Sequence, residues 1–230
     1  MELKVYAERL SEPSRAVILF CKVNGIEFEE VAINLLKGEH RTQEYKEINP
    51  MAQVPAIVHG SLKLFESHAI LSYLACAFSK VPDHWYPADL PKRAQIQSVL
   101  DWHHSTLRSG GAGLVRNTVL ANALGNSPNP IAAAEAEKIL INSLSTLESF
   151  WLKGNGTFLL GNPSPSIADI SLVCQIMQLE LLDKKDYDRL LKPHKNVLEW
   201  IENVKNATKP HFDEVHTTLF EVKARLQKQQ

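Results

Sequence analysis

The strongest constraint on the fold is a change in hydrophobic rhythm about one third of the way along the chain. Residues 1–78 alternate short strand signals with helical ones, whereas the segments beyond residue 92 repeat apolar residues at the i, i+3, i+4 spacing of a helix. The intervening stretch, SKVPDHWYPADLP (79–91), holds three prolines and follows neither period, which is typical of a linker. The sequence therefore predicts an α/β domain at 1–79, a linker at 80–91 and an all-helical bundle domain at 92–230.

The two predicted domains differ in their elements. In the first, the order is β-α-β, a connecting segment, then β-β-α, with segments at 3–7, 14–24, 28–33, 54–60, 61–65 and 67–78. Ser67 is placed to be the N-cap of the last of these helices. In the second, helical spacing covers 92–110, 129–154, 166–182 and 195–207, and a last helix follows Pro210.

Composition excludes several classes of partner. Twenty-five basic residues balance twenty-six acidic ones without a long run of either sign, so no basic face for nucleic acid or an anionic membrane is indicated. No apolar stretch approaches the roughly 20 residues that span a bilayer. The three cysteines form no C-x-x-C pair, so we expect neither a zinc ribbon nor a dithiol motif, and we expect all three to be buried.

Ser11 lies between a predicted strand and a predicted helix, and two roles fit that position. As an N-cap, its hydroxyl would accept a hydrogen bond from the first turn of the helix. Alternatively, the same hydroxyl could donate a hydrogen bond to an anion such as a thiolate, beside the positive end of the helix dipole. No G-x-S-x-G elbow surrounds it, so a hydrolase nucleophile is not indicated.

Two dipeptides further along also have a structural and a functional interpretation. Pro55 begins a strand and follows Val54. It either marks a turn or an edge strand, or forms a cis peptide bond that presents the Val54 backbone to an extended peptide. Glu66 and Ser67 precede a helix and either cap it or hold the amine and carboxylate of an amino-acid head group.

Three other motifs favour structural roles. In WHH (102–104), neighbouring helical residues point about 100° apart, so no metal site is expected. The glycine-rich RSGGAG (108–113) lacks the G-K-[ST] of a phosphate loop. SIAD (166–169) has the spacing of a capping box.

Four motifs in this order and spacing resemble the cytosolic glutathione transferases, and within them the theta class, especially its plant members. They are SEPSRAV (11–17), NPMAQVPAI (49–57), ESHAILSYL (66–74) and DHWYP (83–87). The resemblance covers essentially the whole chain and implies a thioredoxin-like first domain that binds glutathione. It implies that the helical second domain forms the pocket for the electrophile. The cofactor set it implies is glutathione as co-substrate, with no metal.

The resemblance also implies a role for individual residues. Ser11 would be catalytic, donating its hydroxyl hydrogen to the glutathione sulfur and holding it as a thiolate. The remaining glutathione-binding residues would be Glu12, His40, Arg41, Gln53, Val54, a cis Pro55, Glu66 and Ser67. Arg108 would face the active site from the long helix. The segment from His211 and Phe212 would partly cover the electrophile pocket.

The resemblance implies partners and leaves alternatives. Electrophiles and organic hydroperoxides both suit such a thiolate, and a homodimer is expected. Ser105 stands where theta relatives can carry an acid that reaches the partner subunit's glutathione, so that contact is in doubt. The alternatives are a non-catalytic ligand-binding or interaction module and a thiol–disulfide reductase, although the latter needs a cysteine where this chain has Ser11.

The sequence also supports an expectation about the location of the protein in the cell. The first eight residues lack the basic and then apolar pattern of a secretory signal, so we expect a cytoplasmic protein. Similar plant proteins can carry a peroxisomal tripeptide, whereas this sequence ends in KQQ; a peroxisomal or nuclear location would require a further C-terminal tail.

Overall fold

The first domain is a four-stranded sheet with helices packed against it. The computed structural model describes residues 2–154 and 156–228. Strands β1 and β2 are parallel and joined by helix α1, while β3 and β4 form an antiparallel hairpin, giving the sheet order β2-β1-β3-β4. The bounds are β1 Leu3–Ala7, α1 Glu12–Val23, β2 Glu29–Ala32, the short α2 Gln43–Lys46, β3 Ala56–His59, β4 Leu62–Phe65 and α3 Ser67–Ala77.

Strand β1 alternates buried and partly exposed side chains, and it is paired with a neighbouring strand on each side. Leu3, Val5 and Ala7 are buried, and Tyr6 pairs with Val31 on one side and Ala56 on the other. A parallel pair needs a long crossover, which α1 provides. The predicted α/β domain is confirmed.

The second domain is helical throughout, as predicted. Its helices are α4 Leu90–Ser105, α5 Leu107–Asn117, α6 Pro130–Thr146, α7 Ile167–Met177, α8 Lys184–Leu191, α9 Lys195–Ala207 and α10 His211–Gln227. The helix α4 begins at Leu90, two residues inside the predicted linker, where Asp89 caps it by accepting a hydrogen bond from the Lys92 N–H. Within the described residues, no helix is long and apolar enough to cross a bilayer.

The long helix predicted at 92–110 is broken into α4 and α5. Thr106 leaves helical geometry with φ −122° and ψ −81°, and its hydroxyl donates to the Trp102 carbonyl oxygen. This competing side-chain bond ends α4. The glycine-rich segment then continues as α5, because glycine at 110 allows close contact with Leu140 of α6.

Three further expectations are corrected. The helix predicted at 129–154 ends at Thr146 and continues as a π-helical turn, Leu147–Trp151. The helix predicted at 166–182 ends at Met177 and continues as a 3₁₀ turn, Gln178–Leu181. Cys21 and Cys174 are buried, and burial raises the pKa of each thiol to about 12, but Cys76 is exposed near the end of α3.

Candidate active site

Two cavities lie on either side of the loop that carries Ser11. The first, of about 170 Å³, is polar and brings together seven residues singled out from the sequence: Glu12, Gln53, Val54, Pro55, Glu66, Ser67 and Arg108. Its wall also includes six residues for which the sequence gave no expected ligand role: Pro13, Asn49, His68, His103, His104 and Ser171. The first domain and helices α4, α5 and α7 of the second therefore build it jointly.

Ser11 occupies the N-cap position of α1 without acting as a side-chain cap. Its backbone is extended, with φ −74° and ψ 121°, and its hydroxyl makes no capping hydrogen bond. The loop is held by other groups: Ser11 N–H donates to the Glu8 carbonyl oxygen at 3.0 Å, and Leu10 N–H donates to Glu8 Oε1 at 3.0 Å. Of the two roles open from the sequence, the side-chain cap is absent, and the hydroxyl is left available to another acceptor.

A buried arginine fixes this loop from beneath. Arg15 is fully buried on α1, and its Nη1 donates to the Leu10 carbonyl oxygen at 2.7 Å. Its Nη2 donates to Gln178 Oε1 at 2.7 Å and to the Cys174 carbonyl oxygen at 3.1 Å. Arg15 thus ties the Ser11 loop to the second domain through hydrogen bonds to a charged donor, the stronger kind.

The Val54–Pro55 peptide bond is cis, as the resemblance implied. Strand β3 begins at Ala56, so Val54 stands just before the sheet ladder. Tyr45 Oη and Asn49 Nδ2 donate to the Gln53 carbonyl oxygen at 2.7 and 2.8 Å, which fixes this approach to the strand.

The start of α3 differs from the sequence expectation by one residue. Glu66, rather than Ser67, is the N-cap, and it has a positive φ of 69° with ψ 110°. For a residue with a Cβ this conformation costs on the order of 1–3 kcal/mol, and such strain is concentrated at functional sites. Ser67 becomes the first helical residue, so its N–H is among the unsatisfied amides of the helix start.

An ion pair crosses the mouth of the polar cavity. Arg108 Nε on α5 lies 3.5 Å from Glu12 Oε1 on α1, and the Glu12 side chain is 12% exposed against 36% for Arg108. The pair places a partly exposed cation next to the Ser11 loop.

Histidines form the deep end of this cavity. His68 Nε2 lies 3.1 Å from His103 Nδ1 and 2.9 Å from Ser171 Oγ. Burial lowers the pKa of His68 to about 4 and that of His103 well below its ordinary value, so both imidazoles are neutral at pH 7. Among the described residues, no three metal-binding side chains converge.

The second cavity, of about 710 Å³, is lined mainly by aliphatic side chains of both domains. The sequence predicted an electrophile pocket formed by the helical domain, whereas both domains contribute to the walls of this cavity. Its walls include Leu10 from the Ser11 loop, Leu35 and Leu36 after β2, Leu120 and Leu124 after α5, and Val222 and Leu226 on α10. Glu8 also lies in this wall, and burial raises the pKa of its carboxyl.

Five predicted residues are not in the walls of either cavity: Ser11, whose chain neighbours Leu10 and Glu12 line one cavity each, and His40, Arg41, His211 and Phe212. Phe212 is packed in the core at 2% exposure, and His211 contacts Glu214 at 3.2 Å. The α10 residues that line the apolar cavity, Thr218, Val222 and Leu226, begin about two turns later. His40 and Arg41 belong to a 3₁₀ turn, Glu39–Arg41, whose first residue, Glu39, lines the apolar cavity.

Some of the cavity residues that the sequence did not predict had a weak signal in the sequence. Both histidines of WHH, His103 and His104, line the cavity, and His103 contacts a histidine of α3 rather than a neighbour on its own helix. Contacts between residues 35 positions apart have no local sequence signature, so the histidine in ESHAIL was the available clue.

Comparison with known proteins agrees with this architecture. The family model described as the glutathione S-transferase N-terminal domain matches residues 1–76, and the corresponding C-terminal domain matches residues 130–203. Glutathione S-transferase T1 of Arabidopsis thaliana is 65% identical over 99% of this chain and 93% of its own length. Glutathione S-transferase T2 of the same plant is also 65% identical, but the chain spans 39% of its length. A human theta-class glutathione transferase, solved with the glutathione conjugate of 1-menaphthyl sulfate, is 30% identical with a TM-score of 0.89, over 100% of this chain and 91% of that one.

Proposed function

Since this chain belongs to the theta class of the glutathione S-transferase family and is a glutathione transferase, we propose that Ser11 ionises glutathione and directs the thiolate into the apolar cavity. The observation that carries this proposal is the Ser11 hydroxyl itself. It stands at the start of α1, between the two cavities along the chain, without a capping bond.

The polar cavity supports binding of the tripeptide. The Val54 backbone, outside the sheet ladder, pairs with the cysteinyl part as an added strand would. Glu66 receives the γ-glutamyl amine, while the start of α3 at Ser67 receives the carboxylate. Gln53, His40 and Arg41 are proposed to meet the glycine end; His40 and Arg41 do so only if their turn moves toward the cavity.

The energetics of thiol ionisation are of the right size. Lowering a thiol pKa by about two units requires roughly 2.7 kcal/mol of preference for the anion. A hydrogen bond to a charged acceptor supplies about 1.5–3 kcal/mol. The α1 N-terminus adds about 0.3–1 kcal/mol. The thiolate, rather than the thiol, is the nucleophile, so binding and ionisation are sufficient to activate it.

The apolar cavity suits hydrophobic electrophiles and organic hydroperoxides, and we include peroxidase activity in the proposal. Its mainly aliphatic walls provide apolar surface for such a substrate. A homodimer and a cytoplasmic location complete the proposal. The non-catalytic alternative has no observation in its favour.

The test is a substrate panel on wild type and Ser11→Ala. An aryl halide and a cumene-type hydroperoxide report the two activities. Losing 1.5–3 kcal/mol of anion stabilisation should reduce turnover of both about 10- to 150-fold, while glutathione binding is retained.

Ser67→Ala is the matched control, since it removes another hydroxyl of the polar cavity. It should raise the KM for glutathione more than it lowers kcat. Unchanged turnover in Ser11→Ala would refute the mechanism.

A further inference from the structure

The side chains around the apolar cavity indicate what kind of molecule it accepts. Most of them are alanine, valine, leucine or isoleucine, and the walls hold no aromatic ring among the residues that the structure describes. Aromatic ligands gain from edge-to-face or offset contacts with protein rings, and these walls offer none. A saturated chain needs only apolar area, which the walls supply on both domains.

Two leucines lie at the rim of this cavity, one from each domain. Leu36, in the loop after β2, is 72% exposed, and Leu124, in the 3₁₀ turn Asn122–Leu124 after α5, is 44% exposed. Because both also line the cavity, they continue its apolar surface outward into the solvent. A chain longer than the cavity would cover them and remove that surface from water.

The charged residues of the walls carry a net negative charge. Glu8, Glu30 and Glu39 supply three carboxyl groups, and Arg9 is the one cation among the described wall residues. Arg9 is already engaged, since its Nε and Nη2 donate to the two carboxylate oxygens of Glu30 at 2.8 and 2.7 Å. Burial raises the pKa of the Glu8 carboxyl, and protonating it still leaves two carboxylates against one guanidinium.

These charges disfavour an anionic ligand. A carboxylate carried into the cavity would meet like charge, and the described walls offer no free cation to pair with it. Glu39 is held in the wall by the Asn34 N–H, which donates to its Oε2 at 2.6 Å. Lys37 and Arg41 flank Glu39 in the chain, but both are exposed and neither lines the cavity, so water and salt screen their charges.

We propose that the apolar cavity takes an uncharged alkyl hydroperoxide, whose saturated chain fills the cavity and passes over Leu36 and Leu124 at its rim. This names the substrate class of the site and rests on the proposed function, in which Ser11 holds the glutathione thiolate. Leu36 is then a specificity-determining residue for chain length, and Glu39 is one for charge.

The reaction of such a substrate balances with glutathione and water alone. The thiolate sulfur attacks the outer oxygen of the hydroperoxide, so that an S–O bond forms and the O–O bond breaks. The alkoxide that leaves takes a proton from water and departs as the alcohol. A second glutathione reduces the sulfenic acid, which gives glutathione disulfide and water.

The first experiment measures kcat/KM on the full chain for butyl, octyl and dodecyl hydroperoxide at saturating glutathione. Each methylene that leaves water for the cavity should raise kcat/KM by up to about fourfold. Between the butyl and octyl compounds we therefore expect a rise of about 10- to 200-fold. Equal kcat/KM for the three chain lengths would overturn the proposal.

Leu36→Ala tests the rim. It should lower kcat/KM for the dodecyl compound about three- to tenfold, and for the butyl compound less than about twofold, because only the longer chain covers this side chain. Leu90→Ala is the matched control, since Leu90 at the start of α4 is 71% exposed and lies outside the cavity walls. Leu90→Ala should leave both values unchanged. An equal loss for the two chain lengths in Leu36→Ala, or no loss, contradicts the proposal.

The charge preference is tested with 8-hydroperoxyoctanoate and its methyl ester, which share one chain. Wild type should prefer the ester, and Glu39→Gln should reduce that preference about threefold or more, because it removes a like charge while its amide oxygen can still accept the Asn34 N–H. Glu44→Gln, on the exposed side of α2 and outside the walls, should retain the wild-type preference. An unaltered preference in Glu39→Gln would remove Glu39 from the proposal, and a wild-type preference for the acid would overturn it.

Failure of the proposed function has a different signature. If turnover depends on Ser11 but does not rise with chain length, the function stands and the alkyl substrate class falls. If Ser11→Ala reduces every hydroperoxide as fast as wild type does, the proposed function falls, and the substrate class with it.

Discussion

His216, on the last helix, offers a test of how burial controls the acid stability of this protein. Its side chain is fully buried, and burial, with Arg15 nearby, lowers its pKa to about 3. Nδ1 donates to the Phe212 carbonyl oxygen at 2.7 Å, which leaves Nε2 unprotonated and without a partner among the described residues. A proton added at Nε2 would have no acceptor.

The direction in which pH changes the stability follows from the linkage between proton binding and folding. Because the folded pKa lies below the ordinary value of 6.5, the stabilisation is present above pH 6.5 and is lost as the pH falls toward 3. At pH 5 the unfolded chain has bound this proton and the folded chain has not, which costs about 2 kcal/mol of unfolding free energy. At pH 4 the cost is about 3 kcal/mol.

The assay is urea unfolding at pH 7, 6 and 5 on wild type and His216→Leu. The variant removes the titration at similar volume, so its free energy of unfolding should fall about 2 kcal/mol less than that of wild type between pH 7 and pH 5. Part of the slope remains in both, since burial also lowers the pKa of His68 to about 4.

Val215→Ala is the matched control, because Val215 is buried on the same helix. It should lower the unfolding free energy by roughly 1–3 kcal/mol equally at each pH. Parallel pH curves for wild type and His216→Leu would refute the reasoning.

Three further substitutions test the fold around the site by urea unfolding. Ser11→Ala should change the free energy of unfolding by less than about 0.5 kcal/mol, because the Ser11 side chain accepts no capping hydrogen bond. Asn129→Ala should lower it by roughly 0.5–2 kcal/mol, because Asn129 accepts the capping bond from the Ala132 N–H. Equal losses would show that Ser11 does cap its helix. Arg15→Met should lower the free energy of unfolding by roughly 3–5 kcal/mol, because it leaves buried acceptors unpaired. Arg9→Met should lower it by less than about 1 kcal/mol, because the ion pair of Arg9 with Glu30 is partly exposed. A small loss for Arg15→Met would contradict the role of Arg15 in joining the two domains. Gly110→Ala should lower the free energy of unfolding by roughly 1–3 kcal/mol, because the added Cβ would lie 2.5 Å from the Leu140 backbone nitrogen. Gly113→Ala should lower it less, because its Cβ would lie 3.0 Å from the Cβ of Ala136. The reverse order of the two losses would contradict the close packing of α5 on α6.

The sequence predicted the architecture because each domain repeats one physical pattern. Alternation in LKVYA and helical spacing in SRAVILFCKVN are local properties, and both elements form close to where they are expected. The proline-rich stretch marks the change between the two patterns, so the order of elements could be anticipated.

The missed features depend on contacts between distant residues. The Thr106 break arises from a side chain competing for a carbonyl within a helical period that continues on both sides. The pairing of His68 with His103 joins two helices that no pattern connects. Which α10 residues line the apolar cavity depends on how that helix docks, so the sequence did not indicate Val222 and Leu226.

The hydrogen bonds of its neighbours explain why the loop at Ser11 does not need a side-chain cap. The Glu8 carbonyl and carboxylate oxygens take the N–H groups of Ser11 and Leu10, and Arg15 binds the Leu10 carbonyl oxygen from the buried side. Pro13, in the first turn of α1, has no N–H to satisfy. The loop therefore keeps its shape without the serine hydroxyl, and a group that the fold does not need can donate its hydrogen to a bound sulfur. The same arrangement explains why removing that hydroxyl should lower turnover while leaving the stability of the chain almost unchanged.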